Sequence, residues 1–167
     1  PLDSVLSGMD GFPPQLIMGT VIEQWSDYEA KFKAAIGSGE PVALDQVRLR
    51  APTPCPTAIV CMAGNYMEFG TLKEKPVQQA FIKHSRTVIG DGDTMQLPDV
   101  PASIFEGEAE LAMVVSKRAS KVTVDEAMDY VFGYVNFVDG SARGLLAGMA
   151  LPYFMKCQDT FAPIGPY

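Results

Sequence analysis

Apolar and polar positions alternate most clearly from Ile104 to Val115, Ile-Phe-Glu-Gly-Glu-Ala-Glu-Leu-Ala-Met-Val-Val. A period of two predicts a β-strand, because successive side chains there point to opposite faces. On that geometry Glu106, Glu108 and Glu110 share one face, and Leu111, Met113 and Val115 share the other. The apolar run 58–62 predicts a buried strand that Gly64, Asn65 and Tyr66 end in a turn. Residues 81–83 predict another strand, and Val88 and Ile89 run into a Gly-Asp-Gly-Asp turn at 90–93, with 94–97 as a returning arm. Alternation of Val42, Leu44, Val47 and Leu49 predicts a short strand within 41–50. Residues 134–138 predict a strand that Asp139, Gly140 and Ser141 turn, and Ile164 opens a last one.

Helical signals are fewer. Ser26 and Glu29 have the spacing of a capping box, which predicts a helix over 27–36 with Phe32, Ala35 and Ile36 as its stripe and Gly37 as its stop. Trp25, just before that cap, reads as a core anchor stapled onto the helix. Thr123 and Glu126 repeat the box and predict a helix to about 131, ended by Gly133. The Gly- and Pro-rich stretch 1–19 reads as a short helical turn with loops, and 145–154 as loop or short helix. Pro52, Pro54 and Pro56 lack the ladder donor, so 51–56 marks a join between a small N-terminal segment, 1–51, and a main domain, 52–167. Many short strands with few helices predict an α+β, β-rich fold, a mixed sandwich or roll rather than a doubly wound sheet.

A chain of 167 residues that is 47% apolar and 20% charged suits a globular domain with a real core. A net charge of −7 argues against nucleic acid, which rewards basic patches. No run approaches the length of a membrane span, and no basic start precedes an apolar core. Cys55, Cys61 and Cys157 are odd in number and lack CxxC spacing, which suits free thiols in a reducing, cytoplasmic compartment. The chain begins at Pro1 rather than Met and ends at Tyr167 just past a Pro-Ile-Gly-Pro turn, so its sheet is expected to continue beyond it.

Composition leaves the carboxylate face with two readings. Three acids side by side repel unless a positive charge sits among them, and a hard divalent cation such as Mg2+ takes oxygen ligands. Equally, the acids can be the solvated face of an edge strand, where charge discourages aggregation.

Several segments in order are more specific than any one alone. They are Ala63-Gly-Asn-Tyr66, Phe81-Ile-Lys83, Val88-Ile-Gly-Asp-Gly-Asp93, Glu108-Ala-Glu-Leu-Ala112, Gly133-Tyr134, Val138-Asp-Gly-Ser-Ala-Arg143 and the run from Lys156 to Pro166. Together they resemble the fumarylacetoacetate hydrolase family, in its bacterial acylpyruvate hydrolase or 2-hydroxyhepta-2,4-diene-1,7-dioate isomerase-like form. The resemblance spans 52 to the C-terminus. It implies a fumarylacetoacetase C-terminal-domain fold, a homodimer, and metal ligands at Glu108, Glu110 and Asp139, with Glu106 supporting or solvated. The cation would be Mg2+, with Mn2+ or Ca2+ as alternatives. It further implies Lys156 and Arg143 as catalytic groups, and Lys83, Asn65 and Tyr66 near the substrate. Arg143 would hold a carboxylate or orient Asp139, and Asp159 would fix the loop carrying Lys156. The implied substrates are 2-oxo and 1,3-diketo acids such as those of aromatic catabolism, reacting through an enolate that the metal stabilises.

Three departures bear on the chemistry. Hydrolytic members carry a His and a Glu after Asn-Tyr that deprotonate water; here the matching positions are Phe69 and Leu72, neither of which takes a proton, with Glu68 adjacent but directed elsewhere. His84, the sole histidine, lies outside that motif. The missing dyad shifts weight from C–C hydrolysis toward isomerisation, tautomerisation or decarboxylation. Gly144 stands where members often carry an acid, and family members continue past Gly165-Pro166 with further strands. Two other classes remain: an inactive member or fragment that keeps the metal site, and a β-rich interaction domain whose acids are solvated.

Overall fold

The computed structural model describes residues 3–67, 73–74 and 76–167; Glu68, Phe69 and Leu72 lie outside them. The fold is α+β and β-rich, built from three two-stranded sheets. Helices α1 (Pro14–Glu23) and α2 (Trp25–Ser38) follow one another across Gln24. Neither is capped by a side chain, so Ser26 does not open α2: the helix begins one residue earlier, and Glu29 pairs with Lys33 instead. Gly37 lies within α2 rather than beyond it. Trp25 is half-buried, stacks on Phe32 at 6.0 Å and meets Phe132 edge-on at 5.3 Å, tying the helices to the sheet below.

Strand β1 (Ile59–Ala63) pairs antiparallel with β2 (Gln79–Lys83), so that Cys61 faces Phe81 and Ile59 faces Lys83. β1 is not buried throughout. Cys61 points inward, while Val60 and Met62 are exposed. β3 (Val88–Ile89) runs into the expected turn, where the Gly90 amide donates to the Asp93 carboxylate at 2.9 Å and Gly92 takes φ +74°. No strand returns over 94–97, and none forms over 41–50, where Leu44–Gln46 is a 3-10 turn and Val42, Leu44, Val47 and Leu49 are exposed. The alternation there had no partner strand to answer it.

The long hairpin of β4 (Ile104–Val115) and β5 (Val131–Arg143) dominates the domain. The second capping box forms only in part: the Thr123 hydroxyl and amide donate to the Glu126 carboxylate at 2.6 and 3.4 Å. It opens only a turn and the 3-10 segment Ala127–Tyr130, because β5 claims the chain from Val131. β5 then runs straight through Asp139, Gly140 and Ser141, which are strand residues rather than a turn. A short helix α3 (Pro152–Lys156) leads to β6 (Ala162–Pro163), which pairs parallel with β3, and Ile164 bridges to Phe137. The core gathers Cys61, Val135, Phe137, Ala162 and Ile164 where these pieces meet.

Residues directly opposite in an antiparallel pair share a face. Glu106 lies opposite Ser141, Glu108 opposite Asp139 and Glu110 opposite Phe137. This face turns inward. The other face of β4 carries Leu111, Met113 and Val115 into solvent, 61%, 61% and 55% exposed. The hairpin thus turns its half-buried acids inward and exposes its apolar stripe, the reverse of a solvated edge strand.

Candidate metal centre

Each acid arrives from a rigid strand position. Glu108 and Glu110 are two residues apart on β4, and β5 delivers Asp139 across the ladder from Glu108. One carboxylate oxygen from each of the three lies within 4.8 Å of the others. Asp139 is buried and both glutamates are half-buried.

Cations close around them. Lys83, fully buried on β2, donates to Asp139 Oδ1 at 2.6 Å and to the Gly140 carbonyl at 3.0 Å. Lys156, at the end of α3 and also buried, donates to Asp139 Oδ2 at 2.5 Å, Glu108 Oε1 at 2.9 Å and Ser141 Oγ at 2.6 Å. Arg143 bridges the outer acids, with Nε to Glu106 Oε2 at 2.7 Å and Nη2 to Glu108 Oε1 at 2.6 Å. It therefore orients Glu106 and Glu108, and these bonds do not include Asp139. Glu106 is ion-paired, not merely solvated.

The environment divides the two glutamates. Burial alone would raise the Glu108 carboxyl, but the Ser141 hydroxyl, Lys156 and Arg143 outweigh it and hold Glu108 below the usual carboxylate range. Burial pushes Glu110 above that range, helped by Asp139 and Glu108 and only partly offset by Lys156 and Lys83. Among the described residues no hydrogen bond or ion pair reaches Glu110. Beneath the cluster the Cys61 thiol is pushed up to about 12, first by burial and then by Asp139, which leaves it a neutral core residue.

These donors fit a hard divalent cation. They are all oxygens, they come from two paired strands, and a protein ammonium already sits among three of the surrounding oxygens. A cavity of about 230 Å³ lies elsewhere, between the Gly90–Asp93 turn, Asn136 and Ile164, and none of the acidic cluster lines it.

The motifs that converge here have a counterpart among known proteins. The family model for the fumarylacetoacetate (FAA) hydrolase C-terminal domain matches residues 58–167. The chain belongs to the fumarylacetoacetate hydrolase family. Oxaloacetate tautomerase YisK of Bacillus subtilis is 34% identical over 130 residues, 74% of this chain and 43% of that protein. Maleylpyruvate hydrolase from Sphingobium sp. SYK-6, crystallised with manganese(II) and pyruvate, superposes with a TM-score of 0.81 at 30% identity, covering 98% of this chain and 57% of that one. The 5-carboxymethyl-2-hydroxymuconate delta-isomerase of Mycobacterium smegmatis gives 0.65 at 29% identity, covering 77% and 50%. The chain spans about half the length of the curated relatives it matches.

Within this family fold, Glu108, Glu110, Asp139, Lys156 and Arg143 lie together. Lys83 joins them, but behind Asp139, with no surface exposed. Asn65 and Tyr66 are exposed; the Tyr66 hydroxyl lies 3.4 Å from the Leu111 amide on β4, and among the described residues no hydrogen bond links either to the acids. His84 is a surface residue whose Nδ1 accepts from the Arg86 amide, capping a 3-10 turn. Gly144 takes φ +67°, and a Cβ there would fall 1.9 Å from Ser103 Oγ, so the chain has no room for an acid at that position. Sequence reasoning missed Ser141. Its signal was present: once β5 continues through Asp139, the residue two further on shares the acid face.

Proposed function

We propose that the protein is a divalent-metal-dependent enzyme acting on an enolisable 2-oxo acid, with keto–enol tautomerisation or isomerisation favoured over C–C hydrolysis. The carrying observation is the convergence of Glu108, Glu110 and Asp139 oxygens within 4.8 Å beside the Lys156 ammonium. Glu108, Glu110 and Asp139 would hold Mg2+, with Mn2+ and Ca2+ as alternatives; bound there, the cation supplies a Lewis acid to the two oxygens of a 2-oxo acid.

The chain's own residues do the rest. Lys83 pins Asp139 Oδ1 and leaves Oδ2 directed into the site. Arg143 holds Glu108 in register, and its side chain is 37% exposed. Lys156 carries the positive charge that meets the substrate carboxylate or the oxygen on which charge develops as a proton leaves carbon. Phe69 and Leu72 cannot take a proton from water, which favours moving a proton on the substrate over activating water. Tautomerase relatives support the same choice. We also carry forward, as proposals, a division into 1–51 and 52–167, a cytoplasmic location and a homodimer; sedimentation velocity checks the last.

Oxalate tests the reading, because it resembles the enolate of a 2-oxo acid and chelates through two oxygens. Calorimetric titration should show oxalate binding with Mg2+ or Mn2+ present, no binding without, and loss of binding in Glu110→Gln. Equal binding with and without the cation, or none in either case, overturns it.

A further inference from the structure

The position of Lys156 carries more than a charge for the substrate. All three of its ammonium donors are used, on Glu108 Oε1, Asp139 Oδ2 and Ser141 Oγ, at 2.9, 2.5 and 2.6 Å. Two of those oxygens belong to carboxylates of the candidate metal set. An ammonium so placed sits where a cation shared by Glu108 and Asp139 would sit. From the metal reading above, we infer that Lys156 is an internal counter-ion of the metal-free site, which a divalent cation must displace in order to bind.

Three observations carry this. First, geometry: a divalent cation needs carboxylate oxygens at about 2.0–2.6 Å, and one oxygen of each carboxylate, Asp139 Oδ2 and Glu108 Oε1, is already taken by Lys156 Nζ. Two positive charges in one small oxygen cradle repel, strongly so where burial limits screening. Second, the remaining anchors survive the exchange. Asp139 keeps Lys83 on its other oxygen, and Glu108 keeps Arg143, so the carboxylates stay in place when Lys156 leaves. Third, Lys156 can leave. It is the last residue of α3, its ammonium is a point charge on a flexible four-carbon stem, and Nζ can swing without moving the helix. Cation binding and the release of Lys156 toward the substrate are then one coupled exchange. The same contacts hold Glu108 and Asp139, from two strands, together before a cation arrives.

The test is Mn2+ affinity at one fixed pH, read by the electron paramagnetic resonance of free Mn2+, in wild type, Lys156→Met and Lys156→Arg of the full chain. Lys156→Met removes the competitor and should lower the Mn2+ Kd by about tenfold or more, in the range usual for coupled sites. Lys156→Arg keeps a cation in the cradle and should bind no tighter than wild type. Thermal melts give an independent readout. Without Mn2+, Lys156→Met should melt below wild type; with saturating Mn2+, its Tm should rise by more than that of wild type. Should Lys156→Met not fold without metal, Lys156→Gln, which retains a donor, takes its place in the same comparison. An unchanged or weaker affinity in Lys156→Met, with wild type binding Mn2+, overturns the exchange and leaves the metal reading intact. No Mn2+ binding in any of the proteins overturns both.

Discussion

The stability of the site turns on single charges. Lys83 is a lysine with no exposed side-chain surface, and among the described residues its ammonium's polar partners are Asp139 Oδ1 and the Gly140 carbonyl. Taking an ammonium out of water is unfavourable unless its donors are used, and removing one partner of a buried pair leaves the other uncompensated. Lys83→Met keeps the apolar stem and deletes the charge. It should cost about 3 kcal/mol in urea denaturation, the low end for a broken buried pair. A loss well under 1 kcal/mol would show that Lys156 alone neutralises Asp139. Lysine at 83 was visible in the sequence beside Phe81 and Ile82. Its position behind the aspartate rather than against a ligand was not, because burial depends on what β1, β5 and Phe161 place around it.

Among the elements, the β4–β5 ladder does most to build the site, and Phe161 packs directly against it at Gly140. Gly140 donates its amide to the Phe161 carbonyl at 2.9 Å, and a Cβ on Gly140 would meet the ring and its Cβ at 2.8 and 2.9 Å. Gly140→Ala therefore forces the segment before β6 off the strand. It should destabilise the fold by about 1–3 kcal/mol, as overpacking does, measurable by chemical denaturation. Because Asp139 is the preceding residue, the same variant should also bind Mn2+ more weakly. The strand β4 was legible from its period of two, whereas Asp139 joined its acids only through the family resemblance, since the sequence by itself read that residue as a turn. The length of β5 was not. An Asp-Gly-Ser sequence carries strong turn chemistry, and only twelve residues of β4 as a template keep it extended. The opposite error came at 41–50, where alternation without a neighbouring strand leaves exposed loop and a 3-10 turn.

At the scale of the whole molecule, residues 48–51 pack against the β3 turn. Arg48 ion-pairs with Asp93, and Gly90 lies so close to Arg50 and Ala51 that a Cβ would come within 2.6 Å of the Ala51 nitrogen. The Gly90 amide, then the Arg48 guanidinium, hold the Asp93 carboxyl below the usual carboxylate range. A depressed folded-state pKa contributes stability that is complete above the unfolded value of about 3.9 and is lost as pH falls through the folded value. Wild type should thus exceed Asp93→Asn in stability at pH 7, with the gap closing below about pH 4. Paired urea titrations across that range check it; a constant gap would mean that the Asp93 charge plays no part.

Taken alone, the sequence determined the period of β4, the order of the acidic and basic motifs, the β-rich class and the chemistry available, all of which depend on residue type and local spacing. Tertiary structure decided which face of β4 is inside. Alternation separates Glu106, Glu108 and Glu110 from Leu111, Met113 and Val115 but carries no information on which set is covered. The cover comes from α3, β2 and β5, distant in sequence, and it brings Lys156, Lys83 and Arg143 onto the acids. Buried opposite charges compensate one another there, while the apolar stripe is left facing water.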